Sequence, residues 1–235
     1  MKLNTYIAHA GVCSRRNAAL LIKAGKVRLN GMTVTAPWTE VNDKDKILVN
    51  KRPISTSKHI YIVFNKPKGV TTTLEDKYAL KKVIDFIPPD IGRVYPVGRL
   101  DKDSRGLLIL TNDGDLCNRL THPSFGIEKE YEVLVRGRID EQTVKGLKRG
   151  ITDGAEHLSV KSAVVTSTGS NGTLIRTVVC EGKKRHIRRL FERFGMDVKD
   201  LKRVRVAGLK LGDIHNGHFR VLDKRTIYRL LFPAA

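Results

Sequence analysis

Cysteine is scarce in this sequence, and long apolar runs are missing from it. The cysteines are far apart, and no Cys-x-x-Cys pair or Cys/His cluster has the spacing of metal ligands. They are Cys13, Cys117 and Cys180, and we expect reduced thiols. No segment approaches the ~20 consecutive apolar residues of a membrane-spanning helix, and the first residues lack the apolar core of a signal peptide. The sequence therefore predicts a soluble protein of the cytoplasm.

The motifs of several enzyme classes are also absent. There is no GxxxxGK[ST] loop and no glycine-rich turn from a strand to a helix, which argues against nucleotide-dependent enzymes and S-adenosylmethionine-dependent RNA methyltransferases. A zinc deaminase needs a set of His and Cys ligands, and a two-metal nuclease needs clustered carboxylates that fit poorly in a basic chain. Two possibilities remain: an enzyme without cofactor or metal that uses a carboxylate, a phenol and an arginine, or a protein without catalytic activity.

Acidic residues are few relative to basic ones. The chain has 24 Asp and Glu against 44 Lys and Arg, a formal charge of +20, and an isoelectric point near 10.1. Such a charge predicts a polyanionic partner, with nucleic acid first and an anionic membrane surface second. The membrane is disfavoured because the basic residues are spread over the whole length instead of lying on one amphipathic helix. The length of 235 residues and 40% hydrophobic content suffice for a small and a medium domain.

The first fifty residues form a separate unit. Leu3 to Ala10 contains apolar residues at helical spacing, and Ser14 is a good N-cap for a second helix. Asn30 and Gly31 form a strong hairpin turn signal. Basic residues cluster beside the second helix and the hairpin, and we expect these to bind RNA: Arg15, Arg16, Lys23, Lys26 and Arg28.

This unit resembles the small RNA-binding domain first described in ribosomal protein S4. The stretches 13–18 and 25–31 carry the resemblance. It implies RNA as a partner but no activity, because the domain occurs in several unrelated RNA-modifying and translation proteins. Residues 51–60 lose the apolar periodicity and gain Pro, Ser and Lys, which predicts a linker. We thus expect an RNA-binding domain with its linker at 1–58 and a second domain at 59–235.

The second domain has the pattern of an α+β fold with many strands. The predicted strands are 60–64, 107–110, 129–135, a pair within 160–180, and shorter ones in the tail. The predicted helices are Leu80–Ile87, Asp115–Leu120 and the amphipathic stretch Glu181–Gly195. The expected architecture is a small helix-helix-hairpin domain followed by a larger α+β domain on a mixed, mostly antiparallel sheet with flanking helices.

A polar loop at residues 96–106 contains an arginine and two carboxylates and leads into the apolar strand 107–110. A loop on a buried strand is a common way to present reactive groups at a cleft. We predict that Asp101 carries the chemistry and that Asp103 is an ordinary loop residue. Tyr131 lies on the inward face of its predicted strand, either as a core residue or as a functional one at a cleft floor.

Three motifs follow one another along the second domain: Gly98–Asp101 continued by Gly106–Gly114, Lys129–Tyr131, and Glu181–Leu190. They resemble the motifs of RNA pseudouridine synthases, in the branch that modifies ribosomal RNA and has the S4-type domain in front. The resemblance spans nearly the whole chain. It implies that the glycosidic bond of a uridine to nitrogen is broken, the base rotates, and the bond is remade to carbon, on a base flipped out of its stack.

The resemblance also implies roles for individual residues. Asp101 would be the essential carboxylate, acting on the ribose or on the base, and Tyr131 would stack on the uracil or deprotonate it. Arg188 would pair with Asp101, because a carboxylate in a closed cleft needs a cation to offset its desolvation. Arg99 would fill the space that the base leaves. The residues expected to bind RNA in this domain are Arg99, Lys184 and Arg185.

Several alternatives stay open. Large-subunit ribosomal RNA is favoured because the stretch from Asn112–Gly114 to His122–Ser124 is more similar to that group. Small-subunit ribosomal RNA or transfer RNA would undergo the same reaction. From a different class, a non-catalytic RNA-binding or ribosome-assembly protein would gain nothing from the Asp101 carboxylate, which repels phosphate. We expect a monomer with no membrane partner and no small-molecule cofactor.

Overall fold

The computed structural model describes residues 1–42 and 44–233, and the chain divides between His59 and Ile60 into two compact units. Helices α1 (Leu3–His9) and α2 (Arg15–Lys23) belong to the first unit. Its strands are β1 (Val27–Leu29), β2 (Met32–Thr33), β3 (Ile47–Val49) and β4 (Arg52–Ile54). They form an antiparallel sheet in the order β2-β1-β3-β4. Ser14 caps α2 as predicted, because its hydroxyl accepts a hydrogen bond from Asn17 N at 3.2 Å.

The predicted linker begins later in the structure than in the sequence pattern. Arg52–Ile54 forms β4 and pairs with β3, so the prediction of a linker over 51–60 is wrong for its first part. Pro53 is tolerated there because β4 is an edge strand, where a residue without an N–H group breaks no ladder.

The second unit is built on a mixed sheet. Its strands are β5 (Tyr61–Lys66), β6 (Tyr95–Pro96), β7 (Arg105–Thr111), β8 (Lys129–Val135), β11 (Ser162–Gly169), β12 (Gly172–Val179), β13 (Val198–Val206), β14 (Leu209–Lys210) and β15 (Phe219–Leu222), while β9 (Ile151–Asp153) and β10 (Glu156–Leu158) form a separate hairpin. The order is β11-β12-β8-β13-β7-β5-β15, with β14 on β13 and β6 on β7. Among the described strands, β13 and β7 form the one parallel pair, through Lys202–Arg105 and Arg203–Gly106.

Helices cover both faces of this sheet. They are α3 (Gly114–Thr121), α4 (Glu141–Arg149), α5 (His186–Arg193) and α6 (Lys224–Leu231). Along β7, Leu108 and Leu110 belong to the core that α4 and α5 complete, whereas Leu107 and Ile109 belong to the core that α3 and α6 complete. Both faces of β7 are therefore buried, which explains its continuous apolar sequence.

The predicted fold class is confirmed, but two predicted helices differ. Within Leu80–Ile87, only a 3₁₀ turn at Val83–Phe86 forms, and Leu80 points into solvent instead of the core. The helix expected from residue 181 begins only at His186. Arg185 has a φ of 50°, a left-handed backbone through which a right-handed helix does not continue. The basic residues before it therefore lie in a loop instead of the first helical turns.

Helices α4 and α6 were not predicted, although the sequence carries a signal for them. Each has an Asp N-cap that accepts a hydrogen bond from the backbone N–H three residues later: Asp140 from Thr143, and Asp223 from Thr226.

Among the described residues, no helix has the length and apolar character needed to cross a bilayer.

Candidate active site

A cavity of about 260 Å³ lies between the loop that joins β6 to β7, the first residues of β8 and the segment that follows β12. Five of the predicted site residues line it: Arg99, Asp101, Tyr131, Lys184 and Arg185. Arg188 lies behind the wall and lines a neighbouring depression. The remaining predicted residues are exposed in the N-terminal unit: Arg15, Arg16, Lys23, Lys26 and Arg28.

Residues 97–104 carry the predicted catalytic carboxylate, and we name them the catalytic loop. This loop is fixed through its backbone. β6 and β7 are antiparallel neighbours, so this loop connects two paired strands. The Leu100 side chain is buried in the core, and its carbonyl accepts a hydrogen bond from Thr72 Oγ1 at 2.7 Å. The carbonyl of Lys102 accepts one from Gly69 N at 2.7 Å. The residues on either side of the carboxylate are thus held in place.

Lys66, at the end of β5, also holds this loop. It is fully buried, and its ammonium group donates to the carbonyl oxygens of Pro67, Asp101 and Ser104 at 3.1, 3.1 and 2.7 Å. These three bonds use all the donors of the ammonium group. Burial lowers the pKa of Lys66 to about 8, while the nearby negative charges of Asp101 and Asp103 act in the opposite direction. Lys66 was not among the site residues predicted from the sequence.

The structure corrects the predicted partner of Arg188. The Nε atom of Arg188 lies 3.2 Å from Oδ2 of Asp103, but the two are not aligned for a hydrogen bond. The terminal nitrogens of Arg188 donate hydrogen bonds to the carbonyl oxygens of Asp103 and Val198 at 3.0 and 2.9 Å. Because these carbonyls fix the guanidinium beside Asp103, the predicted pairing of Arg188 with Asp101 is wrong. Oδ1 of Asp103 also lies 3.4 Å from a terminal nitrogen of Arg185. Asp103 is therefore not the ordinary loop residue that the sequence predicted. Among the ion pairs of the described residues, none includes the Asp101 carboxylate.

Tyr131 lies on the cavity floor, on β8. Its side chain is 8% exposed, and its hydroxyl lies 3.5 Å from a terminal nitrogen of Arg203. Arg203 is directly opposite on β13, is 3% exposed, and donates from Nε to Leu107 O at 2.7 Å. Arg203 was not among the site residues predicted from the sequence. A buried guanidinium is thus placed next to the phenol.

The close approach of β13 to β7 requires a glycine. A Cβ atom on Gly106 would lie 2.3 Å from the Arg203 carbonyl oxygen, and Gly106 has a φ of 103°. Any other residue would clash with backbone and strain its own conformation. Gly106 therefore lets the strand after the catalytic loop pair beside Arg203.

The charged side chains that line the cavity are mostly basic. Arg99, Lys184 and Arg185 are exposed at its edge, and Lys129 lies deeper. Burial, and then the positive charge of Arg203, lower the pKa of Lys129. A nucleotide suits this arrangement, because its phosphates meet the cations while its base and sugar reach the inner groups.

Comparison with known proteins agrees with this geometry. Residues 60–193 match the family model for RNA pseudouridylate synthase, and residues 1–47 match the S4 domain. The ribosomal large subunit pseudouridine synthase B of Bacillus subtilis (strain 168) is 38% identical over 231 residues, covering 97% of this chain and 95% of the relative. The dual-specificity RNA pseudouridine synthase RluF of Escherichia coli (strain K12) is 36% identical over 225 residues, covering 94% and 75%.

A solved crystal structure of a pseudouridylate synthase superposes with a TM-score of 0.68 at 25% identity, covering 98% of this chain and 99% of that one. The chain therefore belongs to the family of RNA pseudouridylate synthases, enzymes that isomerise uridine to pseudouridine. It is of the type with an S4 domain in front. The resemblance, the enzyme class and the reaction predicted from the sequence are confirmed, and the non-catalytic alternative loses its support.

Proposed function

We propose that this enzyme converts specific uridines of large-subunit ribosomal RNA to pseudouridine. The observation that carries the proposal is Asp101, held on a clamped loop at the wall of a basic cavity with Tyr131 on its floor. The substrate class is supported by the name of the 38% identical relative from Bacillus subtilis. The name of the Escherichia coli relative, a dual-specificity RNA pseudouridine synthase, favours a second RNA substrate, for which transfer RNA is the candidate that the sequence left open.

In the proposed reaction, the target uridine leaves its stack and enters the cavity. Unstacking costs a few kcal/mol, which contacts between phosphates and basic residues offset. Arg99, exposed beside Asp101, fills the space that the base leaves, while Lys184 and Arg185 contact phosphates. Asp101 acts on the ribose or the base while the bond from C1′ to N1 breaks. After rotation, the bond from C1′ to C5 forms, C5 loses a proton and N1 gains one.

Tyr131 and Arg188 have different proposed parts in this reaction. Tyr131 contacts the uracil, either by stacking or by accepting the proton that C5 loses, and the Arg203 guanidinium orients its hydroxyl. Arg188 positions the catalytic loop through its bonds to Asp103. Neither step calls on a metal or a cofactor.

The N-terminal unit is proposed to dock the same RNA. Its exposed basic residues and its match to the S4 domain support this role. The proposed domains are 1–58, which includes the linker, and 59–235. We further infer that the enzyme works as a monomer in the cytoplasm, where ribosomal RNA is its polyanionic partner.

The decisive experiment is Asp101→Asn, measured as pseudouridine formed in a single turnover on unmodified large-subunit ribosomal RNA and mapped by carbodiimide-based primer extension. We expect no detectable pseudouridine and RNA binding at least as tight as that of the wild type, because the amide keeps the size of the carboxylate but removes the charge that repels phosphate. Asp103→Asn is the matched control and should retain measurable activity. A wild-type rate for Asp101→Asn would contradict the catalytic assignment.

A further inference from the structure

Two large apolar side chains of the catalytic unit are almost fully exposed. Tyr78 is 95% exposed and Leu80 is 93% exposed, more than the other exposed large apolar residues of the described chain. Single exposed apolar residues are common on protein surfaces and need no function. Tyr78 and Leu80, however, are separated by one residue and lie on a segment that is hydrogen-bonded to the loop that carries Asp101.

Both residues lie on a segment that we name the rim loop, residues 73–80. Its neck is closed by hydrogen bonds from Thr71 N to Lys81 O at 3.0 Å and from Val83 N to Thr71 O at 3.1 Å. The loop therefore leaves the body of the domain and returns to it at the same place.

The rim loop is attached to the catalytic loop just before its neck. Thr72 Oγ1 donates to Leu100 O at 2.7 Å, and Gly69 N donates to Lys102 O at 2.7 Å. These two acceptors flank Asp101. The base of the rim loop is therefore joined directly to the loop that carries Asp101.

The rim loop also has internal order. Tyr78 N donates to Asp76 Oδ1 at 2.8 Å, and Thr73 Oγ1 donates to Glu75 O at 3.0 Å. A carboxylate that accepts a hydrogen bond from the backbone N–H two residues later stabilises a turn. The backbone is therefore bent so that Tyr78 projects away from the domain.

The surroundings favour RNA as the occupant over a protein. Exposed basic residues lie on the rim loop, at its neck and on the catalytic loop: Lys77, Lys81, Lys102 and Arg99. The exposed acids of the same segments are Glu75, Asp76, which accepts a hydrogen bond from Tyr78 N, and Asp103, which pairs with Arg185 and Arg188. An aromatic ring and a leucine among cations suit a nucleic-acid strand, because bases stack on the ring while phosphates meet the charges.

We propose that Tyr78 and Leu80 contact the bases next to the target uridine and hold the strand open while that uridine occupies the cavity. The proposal rests on the proposed function for the identity of the RNA. It assigns to the rim loop a binding site that is separate from the cavity and reads the flanking nucleotides through stacking.

The first test maps the contact directly. The full-length protein with p-benzoylphenylalanine at position 78 is irradiated with unmodified large-subunit ribosomal RNA, and the crosslinked nucleotide is found by primer extension. A second protein with the same group at Lys184, which lines the cavity, serves as the reference. We expect the two crosslinks within a few nucleotides of each other. Distant crosslinks, or none from position 78, would overturn the proposal.

The second test measures energetics in Tyr78→Ala and Leu80→Ala. Loss of a stacked base weakens binding by about 5- to 100-fold, and we expect a Kd increase in this range for Tyr78→Ala and a smaller one for Leu80→Ala. Tyr78→Phe keeps the ring and should bind as the wild type does. Val164→Ala, an exposed apolar residue of the edge strand β11, is the control for truncation alone. Wild-type affinity in Tyr78→Ala would contradict the proposal.

The two proposals fail in different ways. If the wild-type enzyme formed no pseudouridine in this RNA, the proposed substrate would be wrong, yet the relation between the two crosslinks would still decide the role of the rim loop. If the wild type were active and Tyr78→Ala bound and reacted equally well, only the rim-loop proposal would be lost.

Discussion

The catalytic loop (97–104) and the loop that follows β12 (181–185) line the same cavity but are held in different ways. The first is fixed from below by buried donors, with Lys66 the most deeply placed. The second is held at the surface, where Lys183 pairs with Glu181 and donates to His157 O at 2.6 Å. This difference fits the proposed roles of the two loops, because a group that acts on a bond needs a rigid support, whereas groups that contact phosphates need only charge and reach.

The largest contrast is expected between Gly106, which lies in β7 just after the first loop, and Gly182 of the second loop. Gly106→Ala places a Cβ atom 2.3 Å from the Arg203 carbonyl at a φ of 103°, whereas a Cβ atom on Gly182 has no neighbour within 4 Å. We expect Gly106→Ala to lose at least about 3 kcal/mol of unfolding free energy or to fail to fold, and Gly182→Ala to change it by less than about 0.5 kcal/mol. Urea denaturation measures both. Similar losses in the two variants would remove the proposed difference in rigidity.

A second, smaller contrast concerns two lysines, Lys66 beneath the first loop and Lys184 in the second, and their effect on the pH dependence of the unfolding free energy. With a pKa of about 8 when folded and 10.5 as the ordinary value, Lys66 is neutral in the folded state but protonated in the unfolded state between these pH values. The unfolded state then binds more protons, so the unfolding free energy rises with pH over this window, by up to about 3 kcal/mol. Below pH 8 the lysine is charged in both states, and its contribution is constant.

The measurement compares the wild type with Lys66→Met and with Lys184→Met by urea denaturation from pH 7 to pH 10. Relative to Lys66→Met, the wild type should gain stability as the pH rises above 8. Lys66→Met should also be about 1–3 kcal/mol less stable at pH 7, because three buried carbonyls lose their donor. Lys184→Met, at an exposed position, should follow the wild type throughout. Coincident curves for all three proteins would show that Lys66 is not the buried support.

The smallest effect is expected from the loop after β12. Lys184→Ala should weaken RNA binding modestly and reduce the slope of log Kd against log salt by about 1, because one phosphate contact is lost. Lys145→Ala on α4, where the lysine pairs with Glu141 on the exposed surface, is the matched control. It should leave the slope unchanged. Equal slopes for wild type and Lys184→Ala would remove this residue from the RNA contacts.

Local sequence signals predicted much of this fold because they depend on nearest neighbours. The apolar run of β7, the alternation that buries Tyr131 on β8 and the N-cap at Ser14 all appear as expected. The helix predicted at Leu80–Ile87 does not form. Val83 and Ile87 are buried, but Leu80 is exposed, and a single 3₁₀ turn is enough to place the two buried side chains.

What the sequence did not reveal depends on contacts between distant segments. Lys66 is buried only because the loop that begins some thirty residues later folds over it. Arg188 was expected near the wrong carboxylate, since Asp101 and Asp103 are close in sequence and only their side-chain directions distinguish them. The roles of Asp101 and Tyr131 remain predictions that the structure makes geometrically reasonable.

The parallel contact between β13 and β7 has a consequence for synthesis of the chain. Asp101 comes from the connection into β7, and Tyr131 comes from β8, yet these strands are joined only through β13, which begins at Val198. A nascent chain that has emerged as far as β12 holds both groups without a shared sheet to align them. The ribosome thus completes nearly the whole polypeptide before the enzyme becomes competent to act on ribosomal RNA.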